Sequence, residues 1–417
     1  MNSKLKITLY TLMLSVLFIG CSDDDGDSSS TGSGGTSSTA PLTYTFESQF
    51  SEGTSSVKYT GQVVRNLLIK DIKAAVAAGG ATATDLNVYY ENSDENATIA
   101  TSDSYTASQT TYHEISDSKL SNKIASAADN SFPWNPSSNV YGYDMSAPDL
   151  IADWFAHVES SGGQETTDGL RLDQMIAKGL AGMVSYYQGT SVYLHPDKLD
   201  GADNSVSAND DYQYTSMEHY WDESFGYFGA SRDYNVLADD DARKTYSDTD
   251  ADGSIDYTSE FNFDWAAYAA KRDDCDGCDH DGSNGFTEAI MGAYLEGRHL
   301  ITTGASVAEV RAQVTIIQNN WEKVIAANIV HYINSVISDI ETGSSDMNKH
   351  WAEMRAFAVC LQFNYAAMIS DSDLQSMAAS MGTVPPTDTT GYAATLESIK
   401  DMLGTTYGFT ANDLANW

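Results

Sequence analysis

Residues 307–340 place apolar side chains at every third or fourth position for about nine helical turns. Val310, Val314, Ile317, Trp321, Val324 and Ile325 begin the stripe, and Ile329, Ile333, Val336 and Ile340 extend it. A helix this long is buried only if several others cover it, so the chain is expected to form a bundle. Hydrophobic content of 41% allows a sizeable core. The same period recurs at Val64, Leu68, Ile72 and Val76, where Gly79-Gly80 stops it. It recurs at Leu150, Ile151, Trp154 and Phe155 behind a Ser146-Ala-Pro-Asp start, at Leu172, Met175, Ile176 and Met183, and across residues 349–368. Strand-like alternation is confined to residues 43–46 and 56–59, which could pair as a hairpin. The expected fold is mainly α: a duplicated helical bundle with long loops over 80–145 and 189–215 and a small N-terminal hairpin.

Duplication is suggested by M-V-S-Y-Y-Q at 183–188, which is similar to I-V-H-Y-I-N at 329–334. Each precedes a helix with a His/Trp/carboxylate group, H-Y-W-D-E at 219–223 and H-W-A-E at 350–353. Two pseudo-repeated halves, 43–235 and 282–417, would then be joined by 236–281. Chance similarity of two amphipathic helices is the competing explanation.

The N-terminus carries an address. Lys4 and Lys6 precede an apolar run over 7–19, and Gly20-Cys21 follows. The run is too short for a good spanning helix and reads as a secretory signal. It resembles a bacterial lipoprotein signal, which implies cleavage after residue 20 and lipid on Cys21. Residues 21–42 form an acidic Ser/Gly tether, and Ser22-Asp-Asp-Asp25 resembles the signal for display on the outer membrane. The expected location is the outer membrane, on its surface or periplasmic face, with the membrane held through lipid and an outer-membrane receptor as a possible partner. A net charge of −37 excludes nucleic acid as a partner. In an oxidising compartment Cys275 and Cys278 of C-D-G-C form a local disulfide, or a metal clip with His280. Cys360 lies in an apolar stretch and reads as a core residue.

The sharpest chemical motif is D-T-D-A-D-G-S-I-D at 248–256. Asp248, Asp250 and Asp252 stand at ligand positions 1, 3 and 5 of a calcium loop, Gly253 permits the turn, and Ile255 anchors it. Ser254 and Asp256 can add oxygen. Ser259 occupies the place of the closing glutamate, and Glu260 comes one residue late. Structural calcium is the cofactor expected here, clamping the long connection.

His219 lies three and four residues before Asp222 and Glu223, and His350 three before Glu353. On helices each set shares one face and could hold iron or zinc. A structural network of histidine and carboxylate is the other reading. Glu288, Glu296 and His299 share a further helix and could join either. No zincin, nucleophile-elbow or phosphate-loop motif is present.

Several stretches resemble the uncharacterised bacterial lipoprotein family known as domain of unknown function 4856. They are Y-T-G-Q at 59–62, K-G-L-A-G at 178–182, M-E-H-Y-W-D-E-S-F-G-Y-F at 217–228, A-A-K-R-D at 269–273 and K-H-W-A-E-M-R-A-F at 349–357. A more distant similarity is to imelysin-like proteins, duplicated helical bundles associated with iron uptake. Of their G-x-H-x-x-E motif, Met217 replaces the glycine before His219 and Asp222 the glutamate, while Asn348 precedes His350. The resemblances imply an anchored lipoprotein binding a cation or small ligand in iron or nutrient acquisition. A metallopeptidase using His219, Glu223 and His350, or a glycan-binding surface protein, are the alternatives.

Overall fold

Ser306 begins the longest helix by accepting from the Glu309 amide, while the Glu309 carboxylate accepts from Ser306. The helix ends 36 residues later at Gly343, whose φ of 69° closes it in the left-handed region. The computed structural model describes residues 39–100, 104–126, 139–237, 240–280 and 285–417. The signal peptide, Cys21 and tether residues 21–38 lie outside them.

In chain order the helices are α1 (Thr60–Ala78), α2 (Ala83–Glu91), α3 (Ala147–Ser161), α4 (Leu172–Leu180), α5 (Pro196–Leu199), α6 (Ser216–Phe228) and α7 (Asp240–Arg243). They continue with α8 (Asp264–Asp273), α9 (Phe286–Thr302), α10 (Val307–Thr342), α11 (Met347–Cys360), α12 (Asp371–Met381), α13 (Tyr392–Tyr407) and α14 (Ala411–Asn416). A π-helix, Ala181–Val192, continues α4 without a break. The fold is all-α, and no strand forms among the described residues.

α10 is the central element. It packs against α9 and α11 and also meets α8 and α13, while α4 lies against α1 and α11. Trp154, Trp221, Trp265, Trp321 and Trp351 are fully buried, so each of five helices drives an indole into one continuous core. Trp321 reaches the π-helix, where a methyl on Gly189 would stand 2.7 Å from its ring. Residues 38–417 make one compact unit, and α8, from the expected connector 236–281, sits inside its core through Trp265.

Three expectations change. Residues 43–46 and 56–59 form no full strands; they meet in a short antiparallel contact in which Glu47 and Ser55 make one bridge and the Ser56 amide donates to Phe46. The pairing goes no further because Tyr44 donates its amide to Arg232 and Lys58 donates its own to Asp222. The helix expected over 349–368 ends at Cys360 and tightens into a 3₁₀ turn, Leu361–Phe363. The loop expected over 80–145 contains α2, set by a Thr82–Asp85 capping box. Among the described residues no helix is long and apolar enough to cross a membrane.

Candidate functional site

The acidic loop is held by its own side chains. Asp248 accepts from the amides of Asp252 and Gly253, at 3.2 and 3.0 Å. Glu260, one residue beyond the usual closing position, folds back and accepts from Thr249 and Asp250 through Oε1 and from Asp256 through Oε2. Ile255 is buried and pairs with Ala107 in a parallel bridge, which pins the loop to residues 106–108. Asp248, Asp250 and Glu260 bring carboxylate oxygens within 4.8 Å of one another, the one such group among the described residues. Asp252 and Asp256 are not in that group. Asp252 is bound by Ser254, and Asp256 turns to Gln109 and Thr258. The amide of Asp252 works to lower the Asp250 carboxyl, yet desolvation and the charges of Asp252, Glu260 and Asp248 leave it raised.

The histidine–carboxylate helices are not brought to one ion. Among the described residues no three of His219, Asp222, Glu223, His350 and Glu353 have ligand atoms within reach of each other. Each is engaged locally. His219 stacks on Tyr214 and lies 3.8 Å from Glu223, which accepts from Gln62. Asp222 is buried under Arg298, Tyr44 and the Lys58 amide. His350 bonds Asp339 at 2.6 Å, and Glu353 accepts from Lys178 and Tyr332. Glu288, Glu296 and His299 on α9 join no three-ligand group either. Two helical pairs fix which residues share a face, but not which faces meet.

A cavity of about 470 Å³ opens elsewhere. Leu150 and Trp154 of α3, with Leu170, give it a buried apolar floor. Asp144, Asp153 and Asp168 line it with carboxylates, and Thr166 and Thr167 with hydroxyls. The Tyr143 hydroxyl is buried and has no hydrogen-bond partner among the described residues. Its ring meets Trp154 edge-on at 5.9 Å, and Arg355 lies 5.0 Å over it, tied to the carbonyls of Gly382 and Tyr141. His157 is the one basic side chain lining the cavity, 3.5 Å from Asp153. Three carboxylates against one imidazole leave the lining negative. Sequence reading missed this cavity because its residues come from α3 and three separate loops. The available signal was the Asp-rich, Tyr/Trp-bearing stretch 141–154.

The chain is an all-helical protein. The chain belongs to the family described as Domain of unknown function (DUF4856), whose model matches residues 41–410. No curated protein and no solved structure gives a significant match.

Proposed function

We propose that the protein is an exported, lipid-anchored binding protein that captures a small cationic ligand, an amine-bearing nutrient, in the cavity beside α3. The observation that carries this reading is the set of three carboxylates, Asp144, Asp153 and Asp168, that lines the cavity over an apolar floor with one imidazole among them. That combination suits an ammonium group on a compact organic body. Export and anchoring rest on the lipoprotein-like signal at residues 1–21. Iron capture draws no support from His219 and His350, which hold separate partners. Titration of the protein with glucosamine, putrescine and glucose tests the reading. Saturable heat with the two amines, weakened about tenfold in the Asp153→Asn/Asp168→Asn variant, is expected. Equal binding of neutral glucose would favour a glycan ligand instead.

A second reading concerns the acidic loop, favoured by the convergence of Asp248, Asp250 and Glu260. Calcium there would neutralise three clustered carboxylates and brace the loop against residues 106–108. Asp248→Asn is expected to abolish a calcium-dependent rise in melting temperature, measured by calorimetry with and without chelator.

A further inference from the structure

The base of the acidic loop walls another cavity, about 420 Å³ in volume. Tyr246 and Phe261 form an antiparallel bridge there, and the Asn262 amide donates to the Thr245 carbonyl. α1 contributes Lys70 and Ala74 to the lining, and Tyr105 adds a third ring. Tyr105, Tyr246 and Phe261 are half-buried and pack together. Tyr105 lies 4.7 Å from Tyr246 and 6.1 Å from Phe261, and Tyr246 stacks on Phe261 at 6.1 Å. Three rings gathered at one small cavity make an apolar wall suited to another flat ring.

Lys70 and Lys244 are the charged residues of this lining. An ammonium carries three donors. Lys70 uses one on Asp71 and one on the Ala100 carbonyl, and Lys244 uses one on Asp241 and one on Asp274. Among the described residues each lysine therefore keeps one N–H without an acceptor, and none of the three aspartates lines the cavity. The neutral groups are already engaged. Tyr246 donates to the Ser104 carbonyl, Tyr105 bonds Tyr257, and Thr245 donates to the Asp241 carbonyl. The Asn262 side chain joins the Ala242 carbonyl to the Ser231 amide. The lining thus offers ring surface and positive donors, and little to a hydroxyl-rich or cationic ligand. Its charge is opposite to that of the cavity beside α3.

We propose that this cavity binds a small aromatic carboxylate, its ring against Tyr105, Tyr246 and Phe261 and its carboxylate accepting from Lys70 and Lys244. Nothing in this site depends on the ligand of the cavity beside α3 or on an ion in the acidic loop.

The test is calorimetric titration of the protein at low ionic strength with indole-3-acetate, its neutral alcohol tryptophol and the non-aromatic acid galacturonate. Saturable binding of indole-3-acetate is expected, about tenfold tighter than either of the others. Lys70→Gln and Lys244→Gln should each weaken it about tenfold. Their melting temperatures in ligand-free buffer should stay close to that of the native chain, because Asp71 keeps the Tyr112 hydroxyl and the Ala100 amide, and Asp274 is exposed. Tyr246→Leu removes a ring from the wall and should cost about tenfold as well. The Asp153→Asn/Asp168→Asn variant should bind indole-3-acetate as the native chain does. No saturable heat with indole-3-acetate up to about 10 mM would overturn the proposal. So would tryptophol or galacturonate binding as tightly, unchanged affinity in both lysine variants, or lost affinity in Asp153→Asn/Asp168→Asn. The comparison of acid with alcohol uses the native chain alone, so it decides even where a variant fails to fold.

Discussion

Arg298 shows how one side chain holds distant parts of the chain together. It is wholly buried, donates to Glu218 at 2.8 Å, to Asp222 at 2.9 Å and to Ser56 at 2.7 Å, and lies over Phe46. Arg298→Met would leave two buried carboxylates without a counter-ion. A loss of about 3–5 kcal/mol in urea unfolding is expected. Asp273 carries a pH signature. It caps α9 through the amides of Phe286 and Thr287, but burial pushes its carboxyl up to about 6 from 3.8. A pKa raised on folding gives stability that is full below about 4 and lost as pH climbs through about 6. Asp273→Asn keeps an acceptor and removes the titration. The variant should gain stability relative to the native chain between pH 4.5 and 7, read from urea midpoints at both values.

Among the elements, α10 was legible from its long stripe and α3 from Ser146 and its apolar face. The π-helix was not. Its residues are buried on every side, so no apolar stripe marks its period, and the close approach of Cys360 to Gly182 and of Trp321 to Gly189 is seen only in the folded chain. Gly189→Ala places a methyl against the Trp321 ring. About 1–3 kcal/mol of destabilisation is expected in denaturant unfolding. The N-terminal hairpin is shorter than its alternation suggested, because alternation marks an extended segment without naming its partners. Here Asp222 and Arg232 take the groups a neighbouring strand would have used. The cavity was illegible for a related reason. Its lining comes from α3 and from loops far apart in the chain, and no one of them signals the others.

For the whole molecule, the apparent two-part sequence folds as one unit, with Trp265 of the expected connector against Trp321 of α10. Tryptophan fluorescence and far-ultraviolet circular dichroism should therefore report a single coincident urea transition; two separated midpoints would reveal independently folding halves. The segment nearest the start of the described chain is also built into this unit. Tyr44 stacks on Phe225 at 3.7 Å and donates to Asp222, and Ser56 meets Arg298. A pull delivered along the chain from residue 39 therefore reaches Tyr44 almost at once and is shared by α6 and α9 through a buried ionic knot. Under tension the body should hold as a block and then yield abruptly, rather than unravel residue by residue from that end.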